Sequence, residues 1–210
     1  MIIAIDGPAA AGKGTLARRI AEHFGYAHLD TGSLYRAVAL ALLRAGVDPS
    51  DEAAAAAAAA AIALSDLSDP GLRSEEAGQV ASHVAALPAV RAALLAFQRN
   101  FAANPPGGVD GAVVDGRDIG SVVLPGADFK LFVTASEKER ARRRWAELNE
   151  AGVAPHLDAL LASMQERDRR DAVRPISPLV PAPGAYLLDT TDLDIDAAFA
   201  DAKAYISAPI

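Results

Sequence analysis

The chain has no cysteine among its 210 residues, which excludes disulfide bonds and cysteine-ligated metals. A chain of this length does not depend on such cross-links, because a single domain can bury roughly 70% of its unfolded surface. No signal peptide is indicated, since the N-terminus lacks a basic segment and Asp6 interrupts its apolar stretch. The longest apolar run, from Ala53 to Leu64, is too short to span a bilayer. We therefore expect a cytoplasmic protein without a membrane partner.

Positive charge is scarce overall but locally concentrated. The formal net charge is −7, which argues against a nucleic-acid partner. Half of the arginines nevertheless fall between Arg140 and Arg174. Such a concentration either binds a compact anion or pairs with glutamates along helix faces. Composition alone favours the pairing with glutamates.

Strand and helix patterns alternate along the chain. Short apolar runs predict five strands, with the sequences MIIAI, YAHLD, AVVD, KLFVT and AYLLD. Helical spacing predicts helices at about 14–24, 31–45, 51–64, 74–86, 88–102, 136–151, 157–173 and 195–206. This alternation implies an α/β fold in which helices cover both faces of a parallel sheet.

Several helix ends carry specific signals. Thr31 and Ser50 are expected to cap the second and third helices, and Ser136 with Glu139 has the spacing of a capping box. Gly25 stops the first helix. The run of alanines after Ser50 is interpreted as a helix and not as a disordered tract, because alanine is the best helix former.

The segment DGPAAAGKGT, directly after the first strand, is typical of a phosphate-binding loop. Glycines allow the backbone to curl so that successive N–H groups face phosphate oxygens, and the helix that follows adds a favourable dipole. Lys13 brings a mobile positive charge to the outer phosphates. The residues predicted to bind the phosphates of ATP are Gly7, Ala10, Ala11, Gly12, Lys13, Gly14 and Thr15.

The residue after the lysine narrows the class of protein. Gly14 stands where small GTPases place the Ser or Thr that ligates Mg²⁺, and the hydroxyl comes one residue later, at Thr15. The D-x-x-G and N-K-x-D motifs of those GTPases do not occur in the sequence. The loop resembles that of the nucleoside monophosphate kinases, which implies phosphoryl transfer to a small acceptor.

The segment LDTGSLYRA is a candidate site for a second phosphate. Thr31 lies at the start of a predicted helix, Tyr35 and Arg36 lie in its first turns, and the guanidinium can bind an anion through two hydrogen bonds. The alternative is an ordinary capped helix with a surface arginine.

The segment VVDGRDIG places Asp115, Arg117 and Asp118 at the end of a predicted strand. The carboxyl edge of a parallel sheet is where such folds bind ligands. Acidic residues after a strand are usually turn formers, but the arginine between them favours a role in substrate binding.

The two arginine-rich helices each present charged side chains on one face. Arg167, Asp171 and Arg174 are spaced i, i+4 and i+7, which places them on one side of a helix, either as ligand-binding groups or as a surface ladder. On the preceding helix, the residues that share a face and can clamp donor phosphates are Arg140, Arg143 and Arg144.

Five segments occur in an order that resembles the bacterial cytidylate kinases: IDGPAAAGKGT, LDTGSLYRA, VVDGRDIGSVVLPGA, ERARRRW and ERDRRDAVRPISPL. The resemblance extends over almost the entire chain. It implies one P-loop kinase domain over residues 1–210, with a helical acceptor-binding segment at about 46–104 and a short lid at about 144–156. The interval SDLSDPGLRSEE is shorter than we expect in the family, so the acceptor-binding lobe is expected to be small.

The same resemblance implies roles for individual side chains. The cytosine base would be bound by Ser82, Arg91 and Asp118. The CMP phosphate would be bound by Tyr35, Arg36 and Arg117, with Arg167 nearby, and Thr31 would also belong to the CMP site. The ribose would be bound by Asp171 and Arg174. The donor phosphates would be bound by Arg143 and Arg144, and the catalytic residues would be Lys13, Arg117 and Arg167.

These residues predict one reaction and leave two alternative functions open. The prediction is transfer of a phosphoryl group from ATP to CMP, and to dCMP, with Mg²⁺ held through the nucleotide and water near Thr15 and Asp115. A monomer is expected. One rival is a kinase of another small acceptor such as UMP or AMP, and the other is a P-loop module that binds nucleotides without catalysis.

Overall fold

The computed structural model describes residues 1–150, 152–153, 155–173 and 176–208. It contains one five-stranded sheet with the strand order β2-β3-β1-β4-β5. The strands are β1 (Ile2–Asp6), β2 (Ala27–Asp30), β3 (Ala112–Gly116), β4 (Phe129–Thr134) and β5 (Tyr186–Asp189). The five predicted strands and the α/β class with a parallel sheet are confirmed.

The central strand β1 is parallel to both of its neighbours. Asp6, its last residue, is paired with Gly116 of β3 and with Phe132 of β4. β4 is in turn parallel to β5, with Thr134 opposite Asp189. The carboxyl ends of these strands therefore meet at one edge of the sheet, next to the phosphate loop that follows Asp6.

Eight α-helices are found in the described ranges. They are α1 (Lys13–Phe24), α2 (Thr31–Ala45), α3 (Glu52–Ala60), α4 (Glu75–Val84), α5 (Pro88–Ala103), α6 (Glu137–Glu150), α7 (Leu157–Val173) and α8 (Ile195–Ile206). Gly25 has φ 69° at the end of α1, a left-handed conformation that glycine adopts without strain. All eight predicted helices are present, with small differences at their ends.

Two predicted N-caps are wrong by one residue. Asp30, not Thr31, caps α2, because its carboxylate accepts a hydrogen bond from the N–H of Gly32. Asp51, not Ser50, caps α3 in the same way, by accepting from Ala54. Asp30 directly precedes the predicted cap Thr31, and Asp51 directly follows the predicted cap Ser50. In each case the aspartate caps the helix instead.

Two further predictions need correction. α3 ends at Ala60, not near Leu64, and two short 3₁₀ turns, Leu64–Ser68 and Pro70–Arg73, follow. The capping box before α6 is half formed: the Ser136 hydroxyl accepts from the N–H of Glu139, but the Ser136 N–H donates to Thr191. The Glu139 carboxylate is instead bound by two arginines of its own helix.

The chain forms two compact units. The sheet unit comprises Met1–His28 and Pro105–Ile210, and the helical unit comprises Leu29–Asn104. The predicted acceptor-binding segment lies within the helical unit, which also includes residues 29–45. Fully buried side chains of the sheet unit include Ile3, Ile5, Leu16, Ile20 and Leu131. Those of the helical unit include Leu34, Val38, Val84, Val90 and Leu94.

No single helix in the described part of the chain has the length and apolarity needed to cross a membrane. Glu75–Val84 and Pro88–Gly108 meet that criterion only when taken together, by length and composition, and they are bent by 101°.

Candidate active site

The phosphate loop runs from the end of β1 to the start of α1 and has an unusual backbone. Gly7 has φ 152°, and a Cβ atom there would lie 2.0 Å from the carbonyl oxygen of Val133 on β4. Gly12 has φ 86° and Ala10 has φ 57°. Only glycine fits at position 7, because the loop passes directly against the neighbouring strand.

Three carbonyl groups of the loop accept hydrogen bonds from side chains of other elements. Arg117 donates to Gly7 O at 2.9 Å, and Arg140 donates to Ala9 O at 3.3 Å. The Thr190 hydroxyl donates to Ala11 O at 3.0 Å. These donors fix the path of the loop and engage carbonyl oxygens that would otherwise repel a phosphate.

The arginines of α6 make different contacts. Arg140 is buried, forms an ion pair of 2.7 Å with Asp168 of α7 and donates to Ala135 O. Arg143 donates to Thr190, and its guanidinium lies 3.7 Å from the position that a Cβ of Gly12 would take. Arg143 therefore lies beside the phosphate loop, whereas Arg140 joins a carbonyl group of the loop to a carboxylate of α7.

Arg144, the other predicted donor-phosphate ligand, pairs with Glu147 of its own helix at 3.0 Å. It is partly exposed on the segment that was predicted to start the lid. Nearby, the Trp145 indole donates to the carbonyl of Pro155 at 3.2 Å, which links α6 to the chain that precedes α7. Two residues of the predicted lid, 151 and 154, lie outside the described residues.

Two predicted CMP-binding side chains are bound to each other. The Nε–H of Arg117 donates to Asp171 Oδ2 at 2.9 Å, and the pair is largely buried. Asp171 on α7 and Gly7 on the loop therefore hold the Arg117 guanidinium from two sides. The contacts to these two described residues use Nε and Nη1 of a planar guanidinium that has five N–H donors.

The start of α1 lies against a buried carboxylate. A Cβ at Gly14 would come within 3.8 Å of Asp115 Oδ2, so the carboxylate sits next to the first turn of the helix. Asp115 Oδ1 is 2.9 Å from His28 Nε2. His28 was not among the predicted site residues, and no motif in the sequence singles it out.

Asp6 is a second buried carboxylate beside the loop that was not among the predicted site residues. It is buried, and its carboxylate accepts from the N–H groups of Ile119 and Gly120, directly after Asp118. Burial raises the pKa of Asp6 to about 6, and the neighbouring Asp118 adds to this, while the two N–H groups and Lys13 act in the opposite direction. Its position before the loop glycine was the only sequence signal.

The helical unit holds the predicted acceptor residues on α2, α4 and α5. Arg36 donates to Leu72 O at 2.9 Å, and a Cβ at Gly78 would come 3.0 Å from its guanidinium. The Arg91 guanidinium lies 5.8 Å from the centre of the Tyr35 ring and also donates to Ala85 O at 3.3 Å. Arg91 and Tyr35 are thus brought together.

The N-terminus of α2 differs from the expected anion site. The Asp30 carboxylate accepts from Gly32 N at 2.8 Å and from the Ser33 hydroxyl at 3.0 Å. A negative group therefore already occupies the end of the helix where a phosphate was expected. Thr31, at the first helical position, is buried.

The other predicted ligands are placed as follows. Ser82 lies half-buried on α4, Arg167 lies on α7, and Asp118 is buried before a π-helical turn at Ile119–Val123. Arg174 lies outside the described residues.

The parallel sheet, the glycine loop that follows its central strand and the arginines that surround this loop define a P-loop phosphotransferase. A solved structure of a protein from Eubacterium ventriosum has the same fold, with a TM-score of 0.58, 16% sequence identity and coverage of 100% of this chain and 99% of that chain.

Sequence comparison identifies the family. The family model described as cytidylate kinase matches residues 3–207. A cytidylate kinase from Paramagnetospirillum magneticum is 59% identical over 205 residues, covering 98% of this chain and 97% of the relative. One from Cereibacter sphaeroides is 60% identical over 196 residues, covering 93% and 90%. The chain belongs to the cytidylate kinase family.

Proposed function

We propose that this protein transfers the γ-phosphoryl group of ATP to CMP, giving ADP and CDP, and that it also accepts dCMP. The observation that carries this proposal is the hydrogen bond between Arg117 and Gly7 O. It joins the arginine expected to bind the acceptor phosphate to the loop expected to bind the donor phosphates. Such proximity suits a direct in-line transfer, in which positioning and charge neutralisation supply most of the catalysis.

Donor binding is assigned to the phosphate loop and its neighbours. The N–H groups of the loop and the N-terminus of α1 bind the phosphates of ATP, and Lys13 neutralises charge that develops during transfer. Arg143, beside Gly12, adds a second positive charge on this side. Arg144 and Arg167 are expected to approach the phosphates when the lid closes and excludes water.

A magnesium ion is expected with the nucleotide. The Thr15 hydroxyl in the first turn of α1 and the Asp115 carboxylate beside Gly14 are oxygen groups, which Mg²⁺ prefers, and so the residues present fit this ion. No cluster of three acidic or histidine side chains suited to a metal occurs among the described residues. The ion would therefore be held mainly by ATP phosphates and water, and when bound it neutralises charge on the phosphates.

Acceptor binding is assigned to the side chains that the family resemblance implies. Arg117 and Arg36 bind the CMP phosphate, and Asp118 accepts a hydrogen bond from the cytosine amino group. Arg91 and Ser82 donate to the base. Asp171 and Arg174 are proposed for the ribose, and Thr31 and Tyr35 complete the acceptor site.

The experiment that tests this function is a coupled assay of ADP release with ATP and a panel of nucleoside monophosphates. We expect turnover with CMP and dCMP, and much lower kcat/KM with UMP, AMP and GMP. Equal use of UMP or AMP would favour the rival kinase of another acceptor. No ADP release with any acceptor would favour a binding module without catalysis. The cytoplasmic localisation and the monomeric state of the protein remain predictions.

A further inference from the structure

Asp6 lies between the phosphate loop and the turn that follows Arg117 and Asp118. It is the last residue of β1, it precedes Gly7 of the phosphate loop, and its backbone is paired with Gly116, directly before Arg117. The residue is only 2% exposed. A carboxylate at such a position needs strong hydrogen bonds to offset its lost hydration.

Those hydrogen bonds come from one turn. Asp6 Oδ1 accepts from Ile119 N at 2.7 Å, and Oδ2 accepts from Gly120 N at 2.8 Å. These N–H groups belong to the start of the π-helical turn, where a helical segment has no internal acceptors for them. Asp6 therefore caps this turn from a strand 113 residues away in sequence.

Two of the proposed CMP ligands directly precede the capped turn. Arg117 and Asp118 lie between β3 and the two N–H groups that Asp6 holds, so their backbone is fixed at both ends. At the far end of the turn, Asp118 O accepts from Val123 N at 3.1 Å. A shift at Ile119 would change the directions of the Arg117 and Asp118 side chains.

We propose that Asp6 is a positioning residue for acceptor recognition, which holds the turn that presents Arg117 and Asp118 to CMP. This inference rests on the proposed function. Asp6 does not touch the substrate and acts only through the backbone of the turn. The ammonium of Lys13 and the carboxylate of Asp118 are the charged groups that act on it most strongly.

The test compares Asp6→Asn with a matched control, Asp128→Asn. Asparagine has the same size, but its amide can accept only one of the two N–H groups and turns its own NH₂ toward the other. Asp128 accepts from Ile2 N at 2.6 Å, at the opposite end of the same strand. The control thus makes the same substitution in an aspartate bound to β1 far from the turn, where one acceptor oxygen is enough.

We expect Asp6→Asn to raise KM for CMP at least about tenfold and to change KM for ATP much less, because the turn positions the proposed CMP ligands directly and reaches the phosphate loop only through the hydrogen bond from Arg117 to Gly7 O. Asp128→Asn is expected to leave both KM values near those of the wild type. Equal changes in the two KM values for Asp6→Asn, or none, would overturn the proposal. Absence of CMP turnover in the wild type would instead refute the proposed function.

Amide hydrogen exchange of the wild-type protein decides the question if Asp6→Asn does not fold. We expect the amides of Ile119 and Gly120 to exchange at least about 100-fold more slowly than that of exposed Gly126, and CMP to slow them further. Exchange as fast as at Gly126, or no response to CMP, would overturn the proposal.

Discussion

At the scale of single residues, Arg117 shows how the site is arranged before substrate binds. Its guanidinium is held by Asp171 and by the carbonyl of Gly7, both at 2.9 Å. A planar group fixed on two edges loses little freedom when it binds a phosphate. Under the proposed function, Asp171 therefore acts on CMP binding through Arg117 in addition to the ribose contact proposed for it.

Replacing Asp171 by alanine separates these two roles. Loss of the Arg117 contact lowers kcat/KM for CMP and dCMP alike, by about tenfold or more, because both carry the same phosphate. Any extra loss for CMP measures the contact to the 2′-hydroxyl. Steady-state rates with both acceptors give this comparison, and Arg117→Ala in a double-mutant cycle should show a coupling of about 1–3 kcal/mol. Additive effects would contradict the link between the two side chains.

Asp118 is expected to distinguish cytosine from uracil. A carboxylate accepts from the N4 amino group of cytosine, whereas O4 of uracil would face it without a proton between them. A site with unpaired polar groups can reject such an analogue by as much as roughly 10⁴-fold. Asp118→Ala should therefore lower kcat/KM for CMP far more than for UMP.

The measurement is the ratio of kcat/KM for CMP and UMP in the wild type and the variant, with folding checked by thermal melting. Asp110→Ala, which changes an exposed aspartate before β3, is the control and should keep the wild-type ratio. An unchanged ratio in Asp118→Ala would show that another group recognises the base.

The ionisation of Asp6 is expected to make stability depend on pH. Burial raises its pKa from 3.8 to about 6, so the folded state binds more protons than the unfolded state between these values. The contribution of Asp6 to stability is therefore lost as the pH rises through this window. Relative to Asp6→Asn, the wild type should gain about 2 kcal/mol in unfolding free energy between pH 7 and pH 4. Urea unfolding of both proteins across this range measures the effect, and a difference that is independent of pH would argue against it.

At the scale of secondary-structure elements, Arg140 joins α6, α7 and the phosphate loop. It is buried and reaches Asp168, Ala135 O and Ala9 O. Removing one partner of a buried ion pair leaves the other charge without compensation, which costs about 3–5 kcal/mol. Arg140→Ala is therefore expected to be strongly destabilising and to weaken ATP binding through the loop.

The control for this prediction is Arg142→Ala on the same helix. Arg142 is exposed and pairs with Glu139 at the surface, so its loss should not change the urea midpoint measurably. Similar midpoints for the two variants would contradict the role of Arg140 in joining the elements.

The elements themselves were largely predictable from the sequence, whereas their contacts were not. Apolar runs and glycine stops located the five strands and eight helices, because these signals are local. The bond between Arg117 and Asp171 joins residues 54 apart, and Asp6 reaches across 113 residues to Ile119. Such contacts depend on which strands become neighbours, and strand order is not encoded in local spacing. The wrong caps at Thr31 and Ser50 arose because an adjacent aspartate competes for each position.

At the scale of the whole molecule, the sequence motifs and the fold both indicate phosphoryl transfer. The phosphate loop, Arg117 and Asp118 all lie in the sheet unit, on the carboxyl side of β1 and β3. The proposed acceptor residues Arg36, Tyr35 and Arg91 lie on helices of the helical unit.

The most direct test of this account is identification of the products formed from ATP and CMP. Purified protein is incubated with both nucleotides and Mg²⁺, and the mixture is separated by ion-exchange chromatography. The account predicts equal amounts of CDP and ADP, and a rate at least about 100-fold lower for Lys13→Ala, which lacks the charge at the phosphate loop. Lys203→Ala, an exposed change on α8, should keep the wild-type rate. ADP without CDP, or an undiminished rate for Lys13→Ala, would contradict the account.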